Sequence, residues 1–578
     1  MRPARKSGLN FLVMLTYVNA SLAQNGTFTP VGSVVNYDAG FRCAVPFWRT
    51  TDLNLDNRRD IVLGMTPTTT FTSVSTPGEL TIWTGQQDGT LRESTASMFS
   101  GKITAAYNFT QVNVADFNGD GRPDIFVADS GVDTYANGVP VGPWLGSTPK
   151  LALSSGSTLV DTSATLSNLP SVFLHTSTLA DINGDGFVDV YAGSISAGTN
   201  NTPYLLINDG HGNFTRNQSR LPTIVTVSGS TGTVTQPDGS KIGAGEAFTG
   251  SLFMDYNNDK APDLVLMPQN AAPNGLLLTN DGTGDFSKIA PINLPAGLYG
   301  GGYVKYVTNS DGSTAISQGK GTVGLDTQAV DLNNDGYLDL VAIETVVDPA
   351  NNVYYKGGKL QILINQQGKG FVDETASRGA PGFDATINYD SYHGTLTVFD
   401  INGDGAPDLI AVRVAPTFYE YHVFLNDGSG HFTRATLAGL PQQGFIVPLS
   451  TKPDEPVRVA AFNTVNKKLV QTAGGSVSSC TLSEQVYQSS VIPIQHVNKS
   501  RDECLFTWGE LHYPAYVAPA GSQTTSAAAY NYRYYTQSHS YLGTSSADNH
   551  LYYMGPLTNN VLKDLGLAYD WYVSAGCS

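Results

Sequence analysis

Short apolar runs return along the chain, each directly behind an acidic polar stretch: Ile61-Val62-Leu63, Ile125-Phe126-Val127, Leu264-Val265-Leu266, Leu340-Val341-Ala342 and Leu409-Ile410-Ala411. None alternates apolar with polar, so each reads as a strand buried on both faces, near the centre of stacked sheets. A second pattern follows in several places, at Asn208-Asp209-Gly210, Asn280-Asp281-Gly282 and Asn426-Asp427-Gly428. Asn-Asp-Gly sets residues that tolerate positive φ between two strands, a hairpin signal. One unit therefore reads as strand, acidic loop, strand and hairpin, about four strands. Composition agrees: 61 Gly and 29 Tyr among 578 residues, with only 14% charged, favour many short strands over helices. The expected class is all-β.

The acidic stretches share one nine-residue pattern, Asp-x-Asn-x-Asp-(Gly)-x-x-Asp, and it occurs six times. Its polar positions are Asp52, Asn54, Asp56 and Asp60; Asp116, Asn118, Asp120 and Asp124; Asp181, Asn183, Asp185 and Asp189; Asp255, Asn257, Asp259 and Asp263; Asp331, Asn333, Asp335 and Asp339; and Asp400, Asn402, Asp404 and Asp408. The starts lie 64 to 76 residues apart, so each repeat is one supersecondary unit. Val459-Ala460-Ala461-Phe462-Asn463 lines up with Val114-Ala115-Asp116-Phe117-Asn118 as a further copy stripped of its carboxylates. Seven four-stranded units arranged radially make a seven-bladed β-propeller.

Alternate side chains of a tight loop supply the six to eight oxygens that Ca²⁺ takes, and positions 1, 3, 5 and 9 offer three carboxylates and an amide oxygen. Position 7 varies freely, with Arg122, Phe187, Tyr337 and Ala406, as expected where only a backbone carbonyl is used. An EF-hand is excluded as the source of the pattern: position 12 is Leu63, Val127, Ala192, Leu266, Ala342 and Ala411, none of which binds a cation. Up to six Ca²⁺ are expected. The loops with Asn57 and Lys260 at position 6, where the others have Gly, are the weaker candidates.

With these loops in place, residues 35 to 475 resemble the FG-GAP/VCBS repeat family, whose propellers include the integrin α-subunit head. The resemblance implies that the ninth-position Asp closes a strand-loop-strand calcium site, and that the role is binding or adhesion. It leaves two alternatives open: an extracellular carbohydrate-active enzyme, lyase or hydrolase, with catalytic residues in inserts near 222–250 and 291–327, or a structural scaffold of a surface assembly.

The ends of the chain set the compartment. Residues 1–23 read as an export signal, with Arg2, Arg5 and Lys6 ahead of the apolar run Phe11 to Leu15 and small residues at Ser21-Leu22-Ala23. The mature chain is then secreted, periplasmic or at the cell surface, with no transmembrane segment and with a propeller over 24–475. Four cysteines, Cys43, Cys480, Cys504 and Cys577, include no C-x-x-C pair and read as two disulfides, Cys480 with Cys504 and Cys43 with Cys577 being expected. Residues 476–578 form a Tyr-rich extension, and Tyr530 to Tyr541 offers an aromatic platform or a packing surface. An excess of 49 acidic over 32 basic residues disfavours nucleic acid, leaving an extracellular protein or glycan as the expected partner. His211, His393 and His431 sit where solvated or structural side chains are expected, so no catalytic residue is assigned.

Overall fold

The computed structural model describes most of residues 46–474, together with short strands at Thr29–Pro30 and Val35–Asn36 and within 516–568. Residues 1–23 and all four cysteines lie outside the described residues, as does Asp404.

The fold is an all-β propeller whose six successive blades each hold four antiparallel strands. In the first, Pro46–Thr51 pairs with Asp60–Met65, which pairs with Thr81–Gly85 and then Leu91–Glu93. The others open on Phe109–Ala115, Leu174–Ala180, Phe248–Met254, Gly321–Val330 and Tyr392–Phe399. Every second strand begins on the ninth-position Asp, at Asp60, Asp124, Asp189, Asp263, Asp339 and Asp408, and continues into an apolar run. The lack of alternation in those runs has the expected cause. Ile61, Val62 and Leu63 are fully buried, as are Leu264, Val265 and Leu266. Ile61 and Leu63 face one neighbouring sheet while Val62 faces the other.

The expectation of seven four-stranded blades from consecutive chain is met for six. The remaining sheet consists of Phe445–Pro448, Val457–Asn463 and Lys468–Gly474, with the N-terminal strands Thr29–Pro30 and Val35–Asn36 antiparallel on its last strand. It packs on the sixth blade through Ile446, Val459 and Ala461 and on the first through Phe445, Val447, Ala460 and Phe462. The Phe445 and Phe462 rings stack at 4.8 Å, and Trp83 of the first blade meets Phe462 edge-on at 6.1 Å.

The register expected for the degenerate repeat needs correcting. Val457–Asn463 is not the strand that enters a loop, since it is flanked on both sides like the second strand of a blade. Val459, Ala460, Ala461 and Phe462 are buried on both faces, and that is the environment of the run after an acidic loop. The residues aligned with that loop are thus 450–456, outside the described residues.

Because neighbouring strands run antiparallel, the links from first to second strand and from third to fourth emerge at one edge of the propeller. The second-to-third links and the crossings between blades emerge at the other edge. The acidic loops and Asn-Asp-Gly hairpins therefore share an edge. Three of the long connections on the opposite edge carry two-stranded ribbons: Tyr135–Ala136 with Val139–Pro140, Thr233–Thr235 with Lys241–Gly243, and Lys305–Thr308 with Thr314–Gln318. In the tail, Tyr516–Val517, Tyr530–Tyr534, Tyr541–Ser545, His550–Met554 and Lys563–Ala568 form a separate five-stranded antiparallel sheet. Among the described residues, no helix is long and apolar enough to cross a membrane.

Candidate functional site

The acidic loops fold alike because the first three polar positions gather around one backbone amide. The N–H of position 5 donates to the Oδ1 of position 1 in five loops, at 2.9 Å to Asp52, 3.2 Å to Asp116, 3.1 Å to Asp181, 3.0 Å to Asp255 and 3.1 Å to Asp331. The same N–H reaches the Asn Oδ1 of position 3 at 3.0–3.1 Å. The fifth Asp in turn accepts the N–H of position 7, with Arg58, Arg122, Phe187, Ala261 and Tyr337 as donors at 2.9–3.0 Å. Positions 1, 3 and 5 are thereby drawn together at the rim. Asp120, Asp185, Asp259 and Asp335 are exposed, whereas Asp116, Asp255 and Asp331 are buried below them.

The turn requires left-handed backbone at positions 4 and 6. Gly119 and Gly121 supply it at φ 74° and 83°. Leu55, Asn258 and Lys260 take the same path without glycine, at φ 59°, 62° and 78°, while Asn57 and Asn334 lie outside the described residues.

The ninth Asp is placed differently from the other three. In every loop it is fully buried, and each oxygen accepts a backbone N–H. Its Oδ2 takes the N–H of position 2, from Leu53, Phe117, Ile182, Tyr256, Leu332 or Ile401, at 2.7–3.3 Å. Its Oδ1 takes an N–H from the end of the third strand, from Gly85, Ser154, Asn208, Asn280, Asn365 or Asn426, at 2.6–2.8 Å. Position 9 thus fastens the loop to its own sheet. Among the described residues, no three His, Cys, Asp or Glu side chains gather tightly enough to cage a metal ion by themselves.

Burial and like charge act together on these carboxylates. Burial, with the facing Asp120 adding to it, pushes the Asp116 carboxyl up to about 6, and burial together with Asp259 pushes Asp255 up to about 7. Burial lifts Asp60 and Asp189 to about 8, with the other loop carboxylates contributing in the same direction. Carboxylates crowded together at one turn are a donor set that a hard cation fits. The first loop is a partial exception, because Arg58 pairs with Asp56 at 2.5 Å and donates to the Gly85 carbonyl at 2.9 Å. In the sixth loop Asp400, Asn402, Ala406 and Asp408 are described, with Asp400 and Asp408 buried.

Residues 52–127 and 331–411 match the FG-GAP-like repeat family. These are FG-GAP-like repeats. They cover the first two loops and the last two of the intact six. Among curated proteins none matches the chain. Solved structures similar to it include an ulvan lyase of polysaccharide lyase family 25, bound to a glucuronate–sulfated rhamnose saccharide, at 11% identity over 77% of this chain and 97% of that one, TM-score 0.38. A Bacillus licheniformis rhamnogalacturonan lyase is 13% identical over 94% of this chain and 75% of its own, TM-score 0.31. The Vibrio cholerae biofilm matrix protein Bap1 is 12% identical over 76% and 80%, TM-score 0.26. A shared fold does not fix a function, and at such identities the chemistry of each protein rests on its own side chains.

The repeats also contain a set of residues of which sequence reasoning read two, Asn208 and Asn280, only as turn formers and did not single out the third, Asn365. Asn208, Asn280 and Asn365 each donate from Nδ2 to the position-2 carbonyl of the preceding blade's acidic loop, at 3.0 Å to Phe117, 2.8 Å to Ile182 and 2.8 Å to Tyr256. The available signal was Asn, rather than any other turn former, at the end of successive third strands. His211 and His431 are exposed on these hairpins, as expected. On the axis, Arg49, Gln111, Asn113, Ser177, Ser251 and Asp326 line a cavity of about 30 Å³, room for about two waters.

Proposed function

We propose that the protein is an exported, calcium-stabilised propeller that binds an extracellular protein or glycan through the edge opposite its acidic loops. The two-edge topology carries this reading. Ion-holding loops line one edge and stiffen the blades, while the ribbon-bearing connections gather on the other. The sheet completed by the N-terminal strands is read as the seventh blade. In each loop the oxygens of positions 1, 3 and 5 and the position-7 carbonyl would hold Ca²⁺. The ninth Asp would close the set from its buried place at the start of the second strand. The ion supplies counter-charge to the crowded carboxylates, and the chain's own residues hold the turn.

A ligand bound only by the native state stabilises it by mass action. Thermal melting of the full chain should fall by several degrees with chelator and recover with Ca²⁺ in preference to Mg²⁺, which resists flexible many-oxygen loops. An unchanged midpoint would sink the calcium reading. Glycan and protein arrays probed with and without Ca²⁺ test the binding role. Depolymerisation of an acidic polysaccharide by the purified protein would replace that role with an enzymatic one.

A further inference from the structure

The inter-blade asparagines link the acidic loops in series. Beginning in the fifth blade, the Asn365 N–H donates to Asp339 and its side-chain amide to the Tyr256 carbonyl, both at 2.8 Å. The Tyr256 N–H donates to Asp263, which also accepts the Asn280 N–H. Asn280 reaches Ile182, whose N–H donates to Asp189, and Asp189 accepts the Asn208 N–H. Asn208 reaches Phe117, whose N–H donates to Asp124. The run is unbroken over four blades, and every link is buried or half-buried. Each position-2 peptide is held at its N–H by its own ninth Asp and at its carbonyl by the next blade's Asn.

The series stops short of the first blade. Ser154 stands where the later blades have Asn, and its hydroxyl is spent on Asp120 and Asp124 of its own blade. Gly85 stands there in the first blade and has no side chain to give. At the sixth blade the hairpin lies against the fifth loop, because a Cβ on Gly430 would come within 3.1 Å of the Leu332 carbonyl.

We propose that Asn208, Asn280 and Asn365 are positioning residues for the cation site of the preceding blade, so that the second to fifth loops take up ions as a coupled series while the first loop acts alone. This rests on the calcium reading above. Fixing position 2 fixes the direction of positions 1 and 3 on either side of it, so a loop whose carbonyl is clamped is ordered before the ion arrives. The ordering cost is then shared between neighbouring loops, which is the thermodynamic basis of coupling without a large structural change. The same amide in Asn365 that clamps the fourth loop belongs to the residue whose N–H fastens the fifth.

Peptide-resolved hydrogen exchange on the full chain, in Ca²⁺ and in chelator, tests it with Asn365→Ser. Serine fills the corresponding place at residue 154, so the fold has a precedent for it and the backbone bond to Asp339 is kept. In the wild type, Ca²⁺ should slow exchange of the 255–263 segment by at least about tenfold. Asn365→Ser should shrink that calcium-to-chelator ratio several-fold at 255–263 and leave the 52–60 ratio unchanged. A merely structural loss would speed exchange equally in both conditions and would overturn the proposal, as would an unaltered ratio at 255–263. Absence of any calcium-dependent protection in the wild type would remove the calcium reading and this coupling together. Should Asn365→Ser not fold, Asn208→Ser read at 116–124 decides in the same way.

Discussion

Lys260 is a long, branched-free cation held where the backbone favours glycine, at φ 78°, with its N–H bonded to Asp255. A non-glycine residue there costs roughly 1–2 kcal/mol, partly offset by the lower entropy of its unfolded chain. Lys260→Gly should therefore raise stability by up to about 1 kcal/mol in denaturant unfolding, and Gly336→Lys at the same place in the fifth loop should lower it by about 1–2 kcal/mol. A destabilised Lys260→Gly would show that the lysine side chain contributes more than the turn costs. Much of this loop was legible: the spacing of Asp and Asn marks the turn, and Asn57 and Lys260 mark the departures from glycine. The double backbone fastening of the ninth Asp was not legible, because its partner lies a whole hairpin further on, at a spacing that changes with every insert. Asn365 and Asp339, for example, are separated by the full length of two long strands, Asp339–Asp348 and Val353–Asn365.

Elements announced themselves in proportion to how uniform their surroundings are. The second strands, apolar on both faces, were readable at once. The innermost strands Phe109–Ala115 and Leu174–Ala180 were not, since Gln111, Asn113 and Ser177 turn to the axial cavity and break the apolar pattern. The chain leaving the fourth blade is gripped in a way no local pattern shows. Gln361 donates to the Ala296 carbonyl, Lys359 to the Leu298 carbonyl, and Glu344 accepts the Leu298 N–H at 2.6 Å. Burial is the main cause that pushes the Glu344 carboxyl up to about 8, with nearby Asp373 adding to it against the Leu298 hydrogen bond and Lys359. The folded chain therefore keeps a proton that the unfolded chain gives up near its ordinary value. The stabilisation is full below that value and is lost as pH rises to about 8. In excess Ca²⁺, melting of the wild type should fall from pH 5 to pH 9, and Glu344→Gln should fall less steeply. Equal slopes would mean that Glu344 is ionised in the native state.

At the scale of the molecule, the propeller was legible from repeat number and spacing, but its closure was not. The final sheet takes strands of two residues each from the far end of the chain, too short to leave a pattern. Those strands supply the outer pairing of Lys468–Gly474, which otherwise presents an open edge between the sixth and first blades. Deleting residues 24–40 should lower the melting temperature by more than about 5 °C and open 445–474 to limited proteolysis before the other blades. Blades that melt and digest as in the full chain would show that closure comes from the Phe445, Phe462 and Trp83 contacts alone. The pairing of Thr29 with Ala473 also sets a clock on synthesis. The first-made strand has to wait for roughly 440 further residues, which at roughly 5–20 residues per second is about 20 to 90 seconds. For that interval the blades already made form an open arc with an unsealed seam. The chain can circularise only after its last propeller strand has been made, so proteolytic resistance should arrive late and all at once rather than blade by blade.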